Sequence, residues 1–169
     1  MSVLILNTLL KSCDEVINLQ GEICRREKNS EVVYTRNMNI SHCIGCNYCW
    51  LKTPGICTIK DDYENILKKI LKYDRIIFVT DIRFGFVSYH TKNLVDRMIP
   101  IATMYLHFVD GQMRHVGRYD IQPKIGILYT GDGHREYLER WLIRTTLNFG
   151  GTSLGAYPIE EGRGILSCI

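Results

Sequence analysis

The chain has 169 residues, 46% hydrophobic and 23% charged, which suits one compact domain over 1–169 and leaves no room for a second. Its net charge is only +3, and its basic residues are scattered rather than clustered, which argues against nucleic acid as a partner. No apolar run approaches the ~18 residues of a membrane-spanning helix, so no membrane partner is expected. The first residues, Met1 to Asn7, lack the basic region of a signal peptide. Seven cysteines, an odd number, also suit a disulfide framework poorly, so a cytoplasmic protein with reduced or metal-bound thiols is expected.

Val3 to Asn7 is a continuous apolar run, the pattern of a strand buried on both faces. A helical stripe follows in Leu9, Leu10, Cys13, Val16, Ile17, Gln20 and Cys24, with Cys13 and Cys24 read as small core residues. Glu31 to Thr35 predicts a second strand. Asp61, with Glu64 three residues on, predicts a capping box for a helix whose core face is Tyr63, Ile66, Leu67, Ile70 and Leu71. Ile76 to Val79 predicts a central strand and Thr80 to Ser88 a loop at its carboxyl end. A helix is predicted from Tyr89 to Met98, stopped by Pro100.

Residues 101–122 form a long, less regular connection, a length that in a compact domain marks a functional or interface element. Lys124 to Thr130 predicts a fourth strand, closed by the turn Gly131-Asp132-Gly133. Tyr137, Leu138, Trp141, Leu142 and Thr145 outline a last helix, and Thr152 to Tyr157 a fifth strand; the tail 159–169 shows no helical pattern. Five strands alternating with helices define an α/β fold: a doubly wound, five-stranded parallel sheet with helices on both faces. Ligands in such sheets sit beyond the carboxyl ends of the strands, where the loops after Asn7, Thr80 and Thr130 converge.

The densest chemistry lies in the loop 43–57. Cys43, Cys46 and Cys49 are spaced two residues apart, and Cys57 follows a Pro-Gly turn that can bring it back. This spacing permits a [4Fe-4S] cluster, a structural zinc, or a wall of reduced thiols beside a cofactor. His107, His115 and His134 read as exposed polar residues. No Ser/His/Asp order, paired carboxylates or GxGxxG motif is present.

The run Cys-Ile-Gly-Cys-x-x-Cys-Trp, Thr-Pro-Gly-x-Cys and Ile-Lys-Asp-Asp-Tyr resembles the flavodoxin-like NAD(P)H-dependent FMN reductases and iron–sulfur flavoproteins. Phe84-Gly85-x-Val87-Ser88 and Lys92 to Arg97 resemble that family's flavin-ring loop and the helix after it; Arg114-His115 and Arg118-Tyr119 resemble a further motif. The resemblance implies FMN held by Asn7, Thr8, Thr80, Asp81, Ile82, Arg83, Phe84, Gly85, Val87, Thr130, Gly131, Asp132 and Gly133. It implies a [4Fe-4S] cluster on Cys43, Cys46, Cys49 and Cys57 in the iron–sulfur members, and thiols alone in others.

Two departures stand out. The family's glycine-rich phosphate loop is replaced by Asn7-Thr8-Leu9-Leu10-Lys11-Ser12, and the Ser-Pro-x-Tyr/Trp start of the ring loop by Thr80-Asp81-Ile82-Arg83. Arg83 is expected to lie on a ring or to pair with Asp81. The implied function is an FMN-dependent oxidoreductase passing electrons from NAD(P)H to a small acceptor such as a quinone or free flavin. It would act as a homodimer or homotetramer. The alternatives are a domain that has lost FMN and serves as a binding or assembly partner, for example in a heteromer, and an iron–sulfur electron-transfer flavoprotein.

Overall fold

The computed structural model describes residues 2–168; Met1 and Ile169, the ends of the expected 1–169 domain, lie outside the described residues. Strands β1 (Ser2–Asn7), β2 (Asn29–Tyr34), β3 (Arg75–Arg83), β7 (Lys124–Thr130) and β8 (Thr152–Pro158) form a parallel sheet in the order β2-β1-β3-β7-β8. The sheet is doubly wound because its strands are apolar on both faces. In β1, Leu4 and Leu6 enter one core with Tyr63, Ile66, Leu94, Leu138 and Leu142. Val3 and Ile5, on alternate positions, enter the other with Val16, Leu19, Ile23 and Ile165. The strands β4 (Phe86–Val87), β5 (Ala102–Val109) and β6 (Gln112–Gly117) lie outside this parallel path.

The helices are α1 (Asp14–Arg26), α2 (Tyr48–Leu51), α3 (Tyr63–Ile70), α4 (Tyr89–Asp96), α5 (Arg135–Asn148) and α6 (Arg163–Leu166). Helix α1 starts five residues later than its apolar stripe suggests. Thr8 ties the preceding segment to β3, its amide and its Oγ1 both donating to the Val79 carbonyl at 2.9 Å. The helix therefore buries Val16, Leu19, Gln20 and Ile23, while Leu10, Cys13 and Ile17 are exposed. Cys13 is thus a helix-start residue and not a core one.

Helix α3 buries the expected Tyr63, Ile66, Leu67 and Ile70, but the capping box does not form. Glu64 pairs instead with Lys60 and Lys68, and Asp61 turns toward Arg97. Two irregular expectations also resolve into structure. Residues 102–117 make an antiparallel hairpin of β5 and β6. The tail forms a 3-10 turn at Ile159–Glu161 and then α6, which buries Ile165 and Leu166. Four residues are too short for a periodic signal, so only packing reveals α6.

Candidate functional site

The loop expected at Thr80–Ser88 is largely strand. β3 runs on to Arg83, with Thr80 and Asp81 in register with Tyr129 and Thr130 of β7. It then folds back as a hairpin that pairs Ile82 with Val87 and Arg83 with Phe86. The two turn residues, Phe84 (φ 52) and Gly85 (φ 74), are both left-handed, which a two-residue type I′ turn requires. Glycine adopts this freely; Phe84 does so at a cost, and its ring is fully exposed. The base of the hairpin is closed by Ser88, whose amide donates to the Asp81 carbonyl at 3.0 Å and to Thr80 Oγ1 at 3.2 Å.

A cleft of about 680 Å³ opens between this hairpin and the start of α4. Of the expected residues, Asp81, Arg83, Phe84 and Val87 line it, and Arg83 pairs with Asp81 (Nε to Oδ2, 2.7 Å). Phe86, Tyr89, His90 and Lys92 are among its other lining residues, none of them singled out as a ligand from the sequence. A mostly apolar slot with one ion pair at its edge suits a planar aromatic ligand. The turn Gly131-Asp132-Gly133 reaches this region through Ile82. A Cβ on Gly133 would stand 3.0 Å from Ile82 Cγ1, so the two loops are in direct contact. Asn7, Thr8, Thr80, Ile82, Gly85 and Thr130 to Gly133 do not line the cleft itself.

The end of β1 offers little to a phosphate. Asn7 and Thr8 are buried; Asn7 Oδ1 accepts the Leu9 amide at 3.0 Å, and the Thr8 hydroxyl is shared between Val79 and Thr91. The amino end of α1, where a phosphate would profit from the helix dipole, carries Asp14 and Glu15. The Glu15 carboxyl is held below its usual range by its own backbone amide and by Cys13. That helix end is therefore already supplied with negative charge.

The four expected cysteine ligands line one small cavity of about 20 Å³, together with Ile59 and Ile99. All seven cysteines are free thiols. Burial, and then the neighbouring Cys57, Cys43 and Cys46, push the Cys49 thiol up to about 11, so the four sulfurs sense one another. Among the described residues, no three His, Cys, Asp or Glu side chains are arranged to hold a metal ion. Four cysteine thiols are the donor set of a four-iron cluster as well as of a zinc, and at about 20 Å³ the cavity would have to open to take a cluster.

The cysteine loop is anchored to the rest of the chain. Gly45 and Asn47 take positive φ in its first turn. The Trp50 indole N–H donates to the Ile99 carbonyl at 3.0 Å, and its ring lies 5.1 Å from that of His115 on β6. Cys43 also lines a groove of about 430 Å³ with Trp141 and Lys92. Lys92 borders both this groove and the hairpin cleft, and Phe86 of the cleft packs edge-on against Trp141 at 4.9 Å. The cysteine cavity and the cleft are thus neighbours across α4. Sequence reading missed Trp141 and Phe86 because their meeting joins residues 55 positions apart in the chain.

The sheet order β2-β1-β3-β7-β8 is that of a flavodoxin-like fold. Solved structures agree. An NAD(P)H:quinone oxidoreductase from Methanothermobacter marburgensis superposes with a TM-score of 0.65 at 15% identity, covering 99% of this chain and 96% of that one. An FMN-dependent NADH-azoreductase from Bacillus anthracis, in complex with FMN, gives 0.59 at 13% identity, covering 94% and 85%. No protein-family model matches the chain.

Among curated proteins, an iron–sulfur flavoprotein of Methanocaldococcus jannaschii is 40% identical over 72 residues, 43% of this chain and 36% of that protein. One of Archaeoglobus fulgidus is 25% identical over 135 residues, 78% of this chain and 54% of that protein. The chain thus spans about a third to a half of the length of the curated relatives it matches. It is a flavodoxin-like protein related in sequence to the iron–sulfur flavoproteins.

Proposed function

We propose that the chain is an FMN-dependent oxidoreductase of the iron–sulfur flavoprotein kind, passing electrons from NAD(P)H to a small acceptor. The carrying observation is the adjacency of two features: an apolar cleft at the carboxyl end of β3, and a cavity lined by four thiols across α4. The flavin ring would lie in the cleft, against Phe84, Phe86, Val87 and Tyr89, with Asp81 and Arg83 at its edge. Thr80 positions Ser88 and the hairpin base, and the Gly131–Gly133 turn supports Ile82 from the other side. Cys43, Cys46, Cys49 and Cys57 would hold a [4Fe-4S] cluster. Bound FMN would supply the conversion of a two-electron hydride donor into one-electron steps, which protein side chains do not perform.

The exposed β5–β6 hairpin, with Tyr105, Leu106, Phe108 and Met113 open to solvent, is the surface offered to a second copy in a homodimer or homotetramer. The test of the function is an anaerobic absorption spectrum with iron and sulfide assays, before and after desalting. Flavin and cluster bands retained together support it; protein that stays colourless after reconstitution with FMN, iron and sulfide overturns it.

A second reading is favoured by one specific observation, the Thr8 hydroxyl already taken by Val79 and Thr91 beside the acidic start of α1. In that reading FMN has been lost and the domain serves as a binding or assembly partner. It predicts an intact fold, no flavin binding, and a stable complex with another protein.

A further inference from the structure

We propose that Arg97 is a positioning residue for the cysteine centre, setting its reduction potential through a hydrogen bond to Cys57. The inference rests on the cluster reading given above and goes beyond it to a residue outside the cysteine motif.

Arg97 follows α4 directly, and its side chain is 1% exposed. Its Nη2 donates to Cys57 Sγ at 3.5 Å and to the Ile59 carbonyl at 3.3 Å. Its Nη1 donates to Asp61 Oδ2 and, at 3.1 Å, to the Ser41 carbonyl. The guanidinium carbon stands 4.6 Å from the centroid of the Tyr63 ring. Two of these partners, Ser41 and Ile59, bracket the cysteine loop, so one buried cation clamps both of its ends and addresses one of its sulfurs. A fixed, planar fork is the geometry for holding several acceptors at once, which a lysine cannot copy.

One-electron reduction increases the negative charge on the ligating sulfurs. An N–H donor carrying positive charge, fixed in a buried site, lowers the energy of the reduced form more than that of the oxidised form. Hydrogen bonds to sulfur are among the main determinants of such potentials. Asp61 works in the opposite direction, because its carboxylate offsets part of the Arg97 charge. Removing Arg97 and neutralising Asp61 are therefore expected to move the potential in opposite senses, which a residue with only a packing role would not do.

The experiment is a redox titration of the anaerobically reconstituted full chain, followed by EPR, for wild type, Arg97→Met, Arg97→Lys and Asp61→Asn. Arg97→Met is expected to disfavour reduction at least tenfold, about 59 mV for a one-electron couple. Arg97→Lys should recover part of that loss, and Asp61→Asn should raise the potential. Because these variants alter a buried pair that also supports the fold, the wild type is tested by a second measurement. Pulsed EPR of the reduced centre in protein labelled with 15N-arginine is expected to show a nitrogen coupling. Iron binding with no such coupling, or with potentials unmoved by the substitutions, overturns the role of Arg97 and leaves the cluster reading standing. Wild type that binds no iron or sulfide overturns both.

Discussion

Arg97 and Asp61 form an ion pair in which neither side chain exposes more than 2% of its surface, although 36 positions separate them. Burial pushes the Asp61 carboxyl up, but Arg97 and the amides of Ser41 and Tyr63 outweigh it and hold it below the usual carboxylate range. A carboxylate depressed in the folded state contributes stability above its unfolded pKa, about 3.9, and loses it as pH falls through the lower folded value. Asp61→Asn leaves a buried cation without its partner and should cost roughly 3–5 kcal/mol at neutral pH. The gap between variant and wild type should narrow as pH drops below about 4. Urea unfolding across pH measures it, and a gap independent of pH would refute the assignment.

Phe84 separates local strain from ligand contact. Its left-handed backbone costs about 1 kcal/mol, and asparagine adopts that conformation more readily. Phe84→Asn should therefore raise the thermal midpoint by about 2–4 °C. The same change removes an aromatic wall of the cleft and should weaken flavin binding by about tenfold, of the order of one lost ring contact. A variant that is more stable yet binds flavin as tightly as wild type would place the flavin elsewhere.

The acidic start of α1 predicts an unusual ligand preference. With Asp14 and Glu15 occupying the helix end, the phosphate of FMN gains little there, so FMN and riboflavin should bind with similar affinity. Asp14→Asn and Glu15→Gln should each strengthen FMN binding about two- to fivefold while leaving riboflavin unchanged. Fluorescence titration with both flavins decides it. Strong preference of the wild-type chain for FMN would show that the phosphate is held by other groups.

The β5–β6 hairpin carries the prediction about assembly. Tyr105 and Phe108 are exposed at 68% and 75%, an arrangement that leaves much apolar surface in water. Tyr105→Glu combined with Phe108→Glu should shift the chain from dimer or tetramer to monomer in sedimentation velocity, with the far-UV spectrum unchanged. A wild-type chain that is already monomeric at high concentration would remove the hairpin from the interface.

Much of the fold was legible because strands buried on both faces leave continuous apolar runs. Ile76 to Val79 and Lys124 to Thr130 could be placed from such runs alone. Helix α3 showed its core face in the same way, through one clear periodicity. The start of α1 was not legible, since Thr8 is held by Val79, 71 positions away, and the helix begins only at Asp14. The β5–β6 hairpin was hidden because its apolar residues face solvent and give no one-sided alternation.

For the site, the sequence by itself determined the kind of chemistry: four clustered thiols, a Phe-Gly pair in the segment after a central strand, and no phosphate loop. These are local features, and a few adjacent residues encode each of them. Only the tertiary structure decided what stands beside them. It set Arg97 against Cys57, Trp141 against Phe86, and Trp50 against His115. The physical reason is that each of these contacts forms between residues on separate elements, brought together by burial of the sheet's two faces. The cysteine loop 43–57 announces itself in the chain, but the buried charge that faces it does not.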